Sequence, residues 1–192
     1  QSDDGITAES DLDKGMILRI DGDWRDDGTG TANVVEYDDT LRGEVGRVMP
    51  DGSGAGEYVE LVVMGQTVVV EKQTVVNGTT FANLLAGNGK GLDVRVSAWR
   101  QADGSFRASY VSVLTRDTAA DVELEGAIEE GSVQQGSFTI GGIDVIYDPN
   151  TVVFGEGLGV SDLVPGRFFE VEGDYSTGTL QAREIERDDF RR

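Results

Sequence analysis

Ser10-Asp11-Leu12-x-x-Gly15 leads through an alternating run to Gly22-Asp23-Trp24, and Ser161-Asp162-Leu163-x-x-Gly166 leads with identical spacing to Gly173-Asp174-Tyr175. An internal repeat constrains a fold more tightly than any single motif, because each copy must be built as one structural unit. The first half of the unit is duplicated as well. Met64 to Val76 lies over Gly141 to Val153 without a gap, and both runs end in Thr-Val-Val. Upstream, Leu41-Arg42-Gly43-Glu44-Val45 matches Leu124-Glu125-Gly126-Ala127-Ile128. One full unit therefore opens near Thr40 and the next near Asp121, while residues 10–36 hold only the closing half of a third copy. The expected domains are 1–38 for the half unit, then 39–118 and 119–192 for the complete ones.

The dominant period is two. Met16, Leu18, Ile20 and Trp24 fall on one face of a strand with Arg19, Asp21 and Asp23 on the other, and Val94, Val96 and Ala98 alternate with Asp93, Arg95 and Ser97. A closing hairpin occurs three times, turning at Asp26-Asp27-Gly28, Ala102-Asp103-Gly104 and Ser176-Thr177-Gly178. In the middle copy the signature decays to Ala82-Asn83-Leu84-x-x-Gly87, followed by Gly87-Asn88-Gly89-Lys90-Gly91. Strand parity there slips by one residue, through either a bulge or a misplaced gap. Helical periodicity is confined to the short segments Thr80 to Leu85 and Val160 to Leu163. About five short strands per unit, with a brief helical connector between the third and fourth, predict an all-β chain of tandem small OB-like β-barrels. Two units are complete and the N-terminal one is half.

The bulk chemistry removes several functions. With 36 Asp and Glu against 16 Lys and Arg, the formal net charge is −20, opposite in sign to the basic groove with which such barrels hold nucleic acid. No nucleic-acid partner is expected. The absence of cysteine excludes disulfides and thiol chemistry within this sequence, and the absence of histidine removes the usual general base and a preferred zinc ligand. No apolar run is long enough to span a membrane, and no signal peptide precedes Gln1, so a mature or trimmed product is expected. The acidity, with 27 glycines, suits an exported or salt-tolerant setting.

The opening Leu-x-Gly-x-Val/Ile strand, the hairpin ending in Thr-Val-Val, the Ser-Asp-Leu-x-x-Gly strand and the closing Gly-Thr-Leu-x-Ala-x-x-Ile-Glu strand together resemble the bacterial domain of unknown function DUF5666. The resemblance runs over Leu124 to Glu186, more loosely over Leu41 to Leu114, and over Ser10 to Glu36 as a C-terminal half. It implies an OB-like barrel, used in tandem in exported and lipoprotein-type proteins, and no catalytic residues. The lipidated cysteine near the start of many relatives has no counterpart here.

Candidate chemistry is sparse. Asp21 to Gly28 is rich in carboxylates and could hold calcium weakly, but Arg25 stands where a ligand is needed, and a solvated hairpin turn accounts for it better. Asp3-Asp4 and Asp38-Asp39 read as acidic linker ends, with weak divalent cation binding as the minor alternative. Glu129-Glu130 could supply paired carboxylates, yet nothing places them across a pocket. Trp24, Trp99 and Tyr175 take equivalent positions, which favours a shared packing role over a sugar-stacking platform. Gly87 to Gly91 lacks the context of a phosphate loop. No catalytic, cofactor or metal residue is assigned, and no enzyme activity or cofactor is expected.

The half copy carries the functional expectation. Its apolar face needs cover, supplied by a missing half elsewhere, by its own neighbouring barrel, or by another copy. The expected role is a non-catalytic exported structural module, extracellular or at the cell surface, forming a homo-oligomer or polymer such as a filament or surface layer through residues 10–36. The alternative is a cell-surface or periplasmic module that binds a carbohydrate or a divalent cation.

Overall fold

The computed structural model of the chain describes residues 8–114 and 122–187. The alternating runs form fourteen strands there, and the fold is the tandem of small barrels that the repeat predicts. The first barrel takes β3 (Leu41–Pro50), β4 (Tyr58–Val63), β5 (Gln66–Glu71), β7 (Asp93–Arg100) and β8 (Phe106–Val113). They close into one circuit. β3 pairs with β4, β4 with β5, β5 in parallel with β8, β8 with β7, and β7 returns to β3. The short β6 (Val75–Asn77) adds to β8, and the one-turn helix α1 (Phe81–Leu85) bridges to β7.

The second barrel repeats this path with β9 (Val122–Ala127), β10 (Ser137–Ile140), β11 (Ile143–Ile146), β13 (Phe168–Ser176) and β14 (Thr179–Arg187), and β12 (Val153–Phe154) stands in the place of β6. Its circuit closes more loosely, through one bridge between Ile128 and Ile140. Alternation puts Val59, Leu61, Val68, Val94, Val96 and Val111 inside the first barrel, and Leu124, Phe138, Val145, Phe169, Val171 and Ile185 inside the second.

The parity slip in the middle copy is a misplaced gap, because all three hairpins carry the same bulge and, once the bulges are aligned, Val94 and Val96 fall on Leu18 and Ile20 in phase. The bulge lies at Asp21/Gly22, Ser97/Ala98 and Glu172/Gly173. At Gly22 and Gly173 a Cβ would run into the carbonyl oxygen of the facing strand, from Thr31 and Gln181, which is why glycine recurs there. Aligning the bulges corrects one equivalence. Trp24 and Tyr175 share a position, but its third member is Arg100, and Trp99 corresponds to Asp23 and Asp174.

The two barrels join through their first strands. Leu41 pairs with Leu124 and Arg42 with Glu123, antiparallel. Because Leu41 and Leu124 are equivalent residues of the repeat, the two copies meet like against like. Among the described residues no helix is long and apolar enough to cross a membrane.

Candidate functional site

The Ser-Asp-Leu signature explains itself locally. Asp11 Oδ2 accepts the Ala8 amide at 2.9 Å and Asp162 Oδ2 accepts the Gly159 amide at 3.1 Å, so each aspartate caps its own single 3-10 turn. In the middle copy Thr80 takes over, its Oγ1 accepting the Asn83 amide. The following leucine plugs the barrel end, since Leu84 and Leu163 are buried, whereas Leu12 of the half copy is only half-buried. The signature glycines Gly15, Gly87 and Gly166 all lie at positive φ, which turns the chain into the next strand.

The half copy forms β1 (Ile17–Trp24) and β2 (Gly30–Asp38), a hairpin arm that pairs with no other strand among the described residues. Its base is anchored on the outside of the first barrel. Tyr110 Oη and Asn77 Nδ2 both donate to Asp13 Oδ2 at 3.2 Å, and the Ile17 amide donates to Ser97 Oγ at 3.3 Å. Ser97 Oγ in turn donates to Tyr37 Oη at 3.1 Å. Thr40 Oγ1 donates to the Ala98 carbonyl and accepts its amide, both at 3.0 Å, pairing backbone groups at the β7 bulge. Tyr37 meets Tyr110 edge-on, and the Arg95 guanidinium lies 4.9 Å from the Tyr37 ring centre. Burial, with the Asp39 charge adding to it, holds the Tyr37 phenol well above its ordinary value of 10.0.

Beyond this base the arm stands in solvent, and the three-fold equivalence shows what is unusual about that. Ile20 is 62 % exposed, whereas its counterparts Val96 and Val171 are fully buried. Val35 is 39 % exposed, while Val111 and Ile185 at the same place are fully buried. In complete units this face is covered by the three opening strands of the barrel, for which the arm has no partner strands. Covering an apolar side chain of this size is worth about 1.5–3 kcal/mol. Ile20, Trp24 and Val35 together thus forgo up to roughly 4.5–9 kcal/mol, within the range of a whole domain's stability.

The arm tip is held by local bonds. Asp27 Oδ1 accepts the Thr29 hydroxyl at 2.6 Å and the Thr29 amide at 3.0 Å, and these bonds, the hydroxyl first, keep the Asp27 carboxyl below the ordinary aspartate range. Asp103 and Ser105 reproduce the arrangement in the first barrel. The acidic segment Asp21 to Gly28 is therefore a hairpin turn whose central carboxylate is already engaged by Thr29.

Elsewhere the sequence candidates disperse. Trp24 is 83 % and Trp99 51 % exposed while Tyr175 packs on the core, so these aromatics share no packing role. Asp39 is not a solvated linker end. It is buried and receives Arg42 Nε and Nη2, both at 2.9 Å, and Arg42 also reaches Glu123 at 3.2 Å across the joint between barrels. Glu129 Oε1 accepts the Gly142 amide at 2.7 Å and so caps a turn, with Glu130 exposed beside it. Gly87 to Gly91 folds back on β3 through the Gly91 amide and the Val45 carbonyl. Asp3-Asp4 lies outside the described residues. Sequence reasoning missed the Asp39–Arg42–Glu123 group, which forms only because the two first strands pair, a contact with no signal in the sequence.

Two further features flank that joint. Glu123, Glu170 and Glu172 bring carboxylate oxygens within 4.8 Å of one another, with Arg42 against Glu123. A shallow cleft of about 390 Å³ lies between the barrels, lined by Glu44, Met64, Asp93, Val122, Tyr175 and Thr177 among others.

The family model described as domain of unknown function DUF5666 matches residues 55–112 and 125–186. These are the bodies of the two barrels, and the arm lies outside the match. No curated protein and no solved structure matches the chain.

Proposed function

The chain belongs to the DUF5666 family, and from that premise we propose that it is a non-catalytic, exported structural module that self-assembles into an extracellular filament or surface layer through its incomplete N-terminal repeat. The observation that carries this reading is the exposure of Ile20 and Val35 at positions that are core in both complete units. A solvated two-stranded ribbon with no strand paired to either edge among the described residues is a template for another chain. The repeated motifs favour a structural role, because the aspartates and glycines that recur are engaged in capping turns and shaping bulges rather than converging on a pocket. The acidity of the chain, with its 27 glycines, suits an exported or salt-tolerant setting.

Removing residues 1–38 tests the reading. Assembly, followed by light scattering and negative-stain microscopy, is expected in the full chain and lost in the truncated one, while the two barrels keep their β-sheet circular dichroism. Assembly that survives the deletion refutes the arm's role. Salt should promote the process, because each copy carries −20 and the repulsion is screened as ionic strength rises.

A second reading, a cell-surface or periplasmic binding module for a divalent cation or a carbohydrate, draws on the three converging glutamates. Calorimetry with calcium tests it, and a heat signal abolished by Glu172→Gln would favour it.

A further inference from the structure

We propose that the cleft between the two barrels is a binding site for a small organic cation, an ammonium group carried on a short apolar body. This site is independent of the arm and of any assembly through it. On the wall supplied by the first barrel, Glu44 of β3 lies directly opposite Asp93 of β7 in the antiparallel register, and both line the cleft. Like charges opposed on one face of a sheet repel and destabilise the pair. Neither carboxylate has a hydrogen bond or an ion pair among the described residues. The cations two residues along each strand are turned elsewhere, Arg42 to Asp39 and Glu123, and Arg95 to the Tyr37 ring. A cation bound in the cleft would relieve this repulsion.

The rest of the lining decides what kind of cation fits. Val62, Met64 and Val122 are apolar, Tyr175 adds an aromatic ring, and Ser176 and Thr177 add hydroxyls from the β13–β14 turn. A calcium ion takes roughly six to eight oxygen ligands, more than two carboxylates and two hydroxyls supply, and gains nothing from an apolar wall. An organic cation meets both. Its charge faces the carboxylates, its body covers the apolar side chains, and the aromatic ring adds cation–π attraction. The volume of about 390 Å³ falls within the roughly 300–1,000 Å³ of small-molecule sites.

Backbone conformation marks the same place. Among the described residues, the non-glycine residues at positive φ are Met64 at 49° and Thr177 at 52°, and both line this cleft, one from each barrel. Left-handed backbone is costly for any residue with a side chain, most of all a β-branched one such as threonine. In the second barrel Gly141, which aligns with Met64, makes the same two-residue turn at φ 56° without that cost. What the methionine adds is its side chain. It lies over Gly43 in the cleft lining, where an added Cβ would come 2.9 Å from Met64 Cγ.

The probe is 2-phenylethylamine, cationic at neutral pH, titrated into the full chain at low salt and followed by amide NMR shifts and calorimetry. Its uncharged analogue 2-phenylethanol and the bare ammonium ion are the controls. Saturable shifts are expected at Glu44, Asp93 and Thr177, with a dissociation constant on the order of 1 mM, and neither control should reproduce them. Glu44→Gln and Asp93→Asn should each weaken binding about threefold, and together about tenfold, as exposed ion pairs do. Glu130→Gln, exposed and outside the cleft, should leave it unchanged. Both cleft substitutions remove a repulsion, so these variants should melt no lower than the parent, and lost binding is then not lost fold. Shifts scattered over surface carboxylates, or binding that survives the double substitution, would be non-specific attraction to a chain of charge −20 and would overturn the proposal. Equal binding of 2-phenylethanol, or no saturable shift at the cleft, would overturn it as well.

Discussion

The arm β1–β2 and the hairpins β7–β8 and β13–β14 are three versions of one element, with the same bulge and the same run of inward-facing apolar residues, yet two are barrel walls and one is a free ribbon. The difference lies in what surrounds them. Strands β3–β5 and β9–β11 bury the second and third versions, and no described strand stands in that place for the first. The comparison teaches that the inner-face pattern specifies a face to be covered, and the covering decides whether it becomes core or surface.

The sharpest way to break this comparison is to place a charge at the shared position. Val96→Asp and Val171→Asp bury an unpaired carboxylate and should each cost about 4 kcal/mol or more, enough to unfold the barrel concerned. Ile20→Asp should leave the melting of both barrels unchanged within about 0.5 kcal/mol. Denaturant titration followed by circular dichroism reads all three, and an Ile20→Asp variant as unstable as Val96→Asp would mean that the arm is part of the core.

Next comes the joint, to which the arm contributes no strand. Arg42→Ala leaves Asp39 and Glu123 buried without their shared cation and should cost about 3–5 kcal/mol, visible as a lower midpoint or a split transition. A loss under 1 kcal/mol would show that the two barrels do not depend on this ion-paired group.

A smaller effect separates the anchored base of the arm from its free end. The Tyr37 phenol is raised above 10.0, so its contribution to docking is fully present below that pH and is lost as pH rises toward the folded value. Each pH unit above 10 should favour the undocked arm by about 1.4 kcal/mol until the folded value is reached. The protection of the Ile17 amide, taken relative to the hydroxide-catalysed rise common to all amides, should fall over this range, while that of β2 amides near the tip changes little. Tyr37→Phe should remove most of the pH dependence.

The smallest effect tests what the arm and the first barrel have in common. Asp27 and Asp103 sit in matching turns, and both carboxyls lie below the ordinary aspartate range because of hydrogen bonds within the turn. Any stabilisation is present above that range and fades as pH falls through the lowered values. Carboxyl shifts followed by NMR should move at similar pH for the two residues, because the turn does not depend on the surrounding barrel.

Much of this was legible in the sequence. The repeat gave the number of barrels, the alternation of Val94, Val96 and Ala98 gave their inward faces, and the missing opening half announced the arm. What stayed hidden was contact between outward-facing residues. Asp39 read as an acidic linker end, and Arg42 and Glu123 carried no signal, since period-two alternation separates inside from outside but says nothing of which exteriors meet. Trp99 was assigned to the wrong position because the glycine-rich insertion after Gly87 has no fixed length in the sequence, and a tryptophan beside an arginine looks like the more natural partner of Trp24. The docking of Tyr37 on Ser97 and Tyr110 was equally silent, resting on a serine and a tyrosine that alternate onto the outside of the first barrel.

The most direct test of the central claim is the environment of Trp24 itself, measured by fluorescence emission and acrylamide quenching in a Trp99→Phe variant over a wide range of protein concentration. The account predicts a solvent-exposed indole in dilute solution whose emission shifts to the blue, and whose quenching falls, in step with the growth in mass. Growth in mass with Trp24 still fully quenchable would contradict it and move the assembly contact away from the arm.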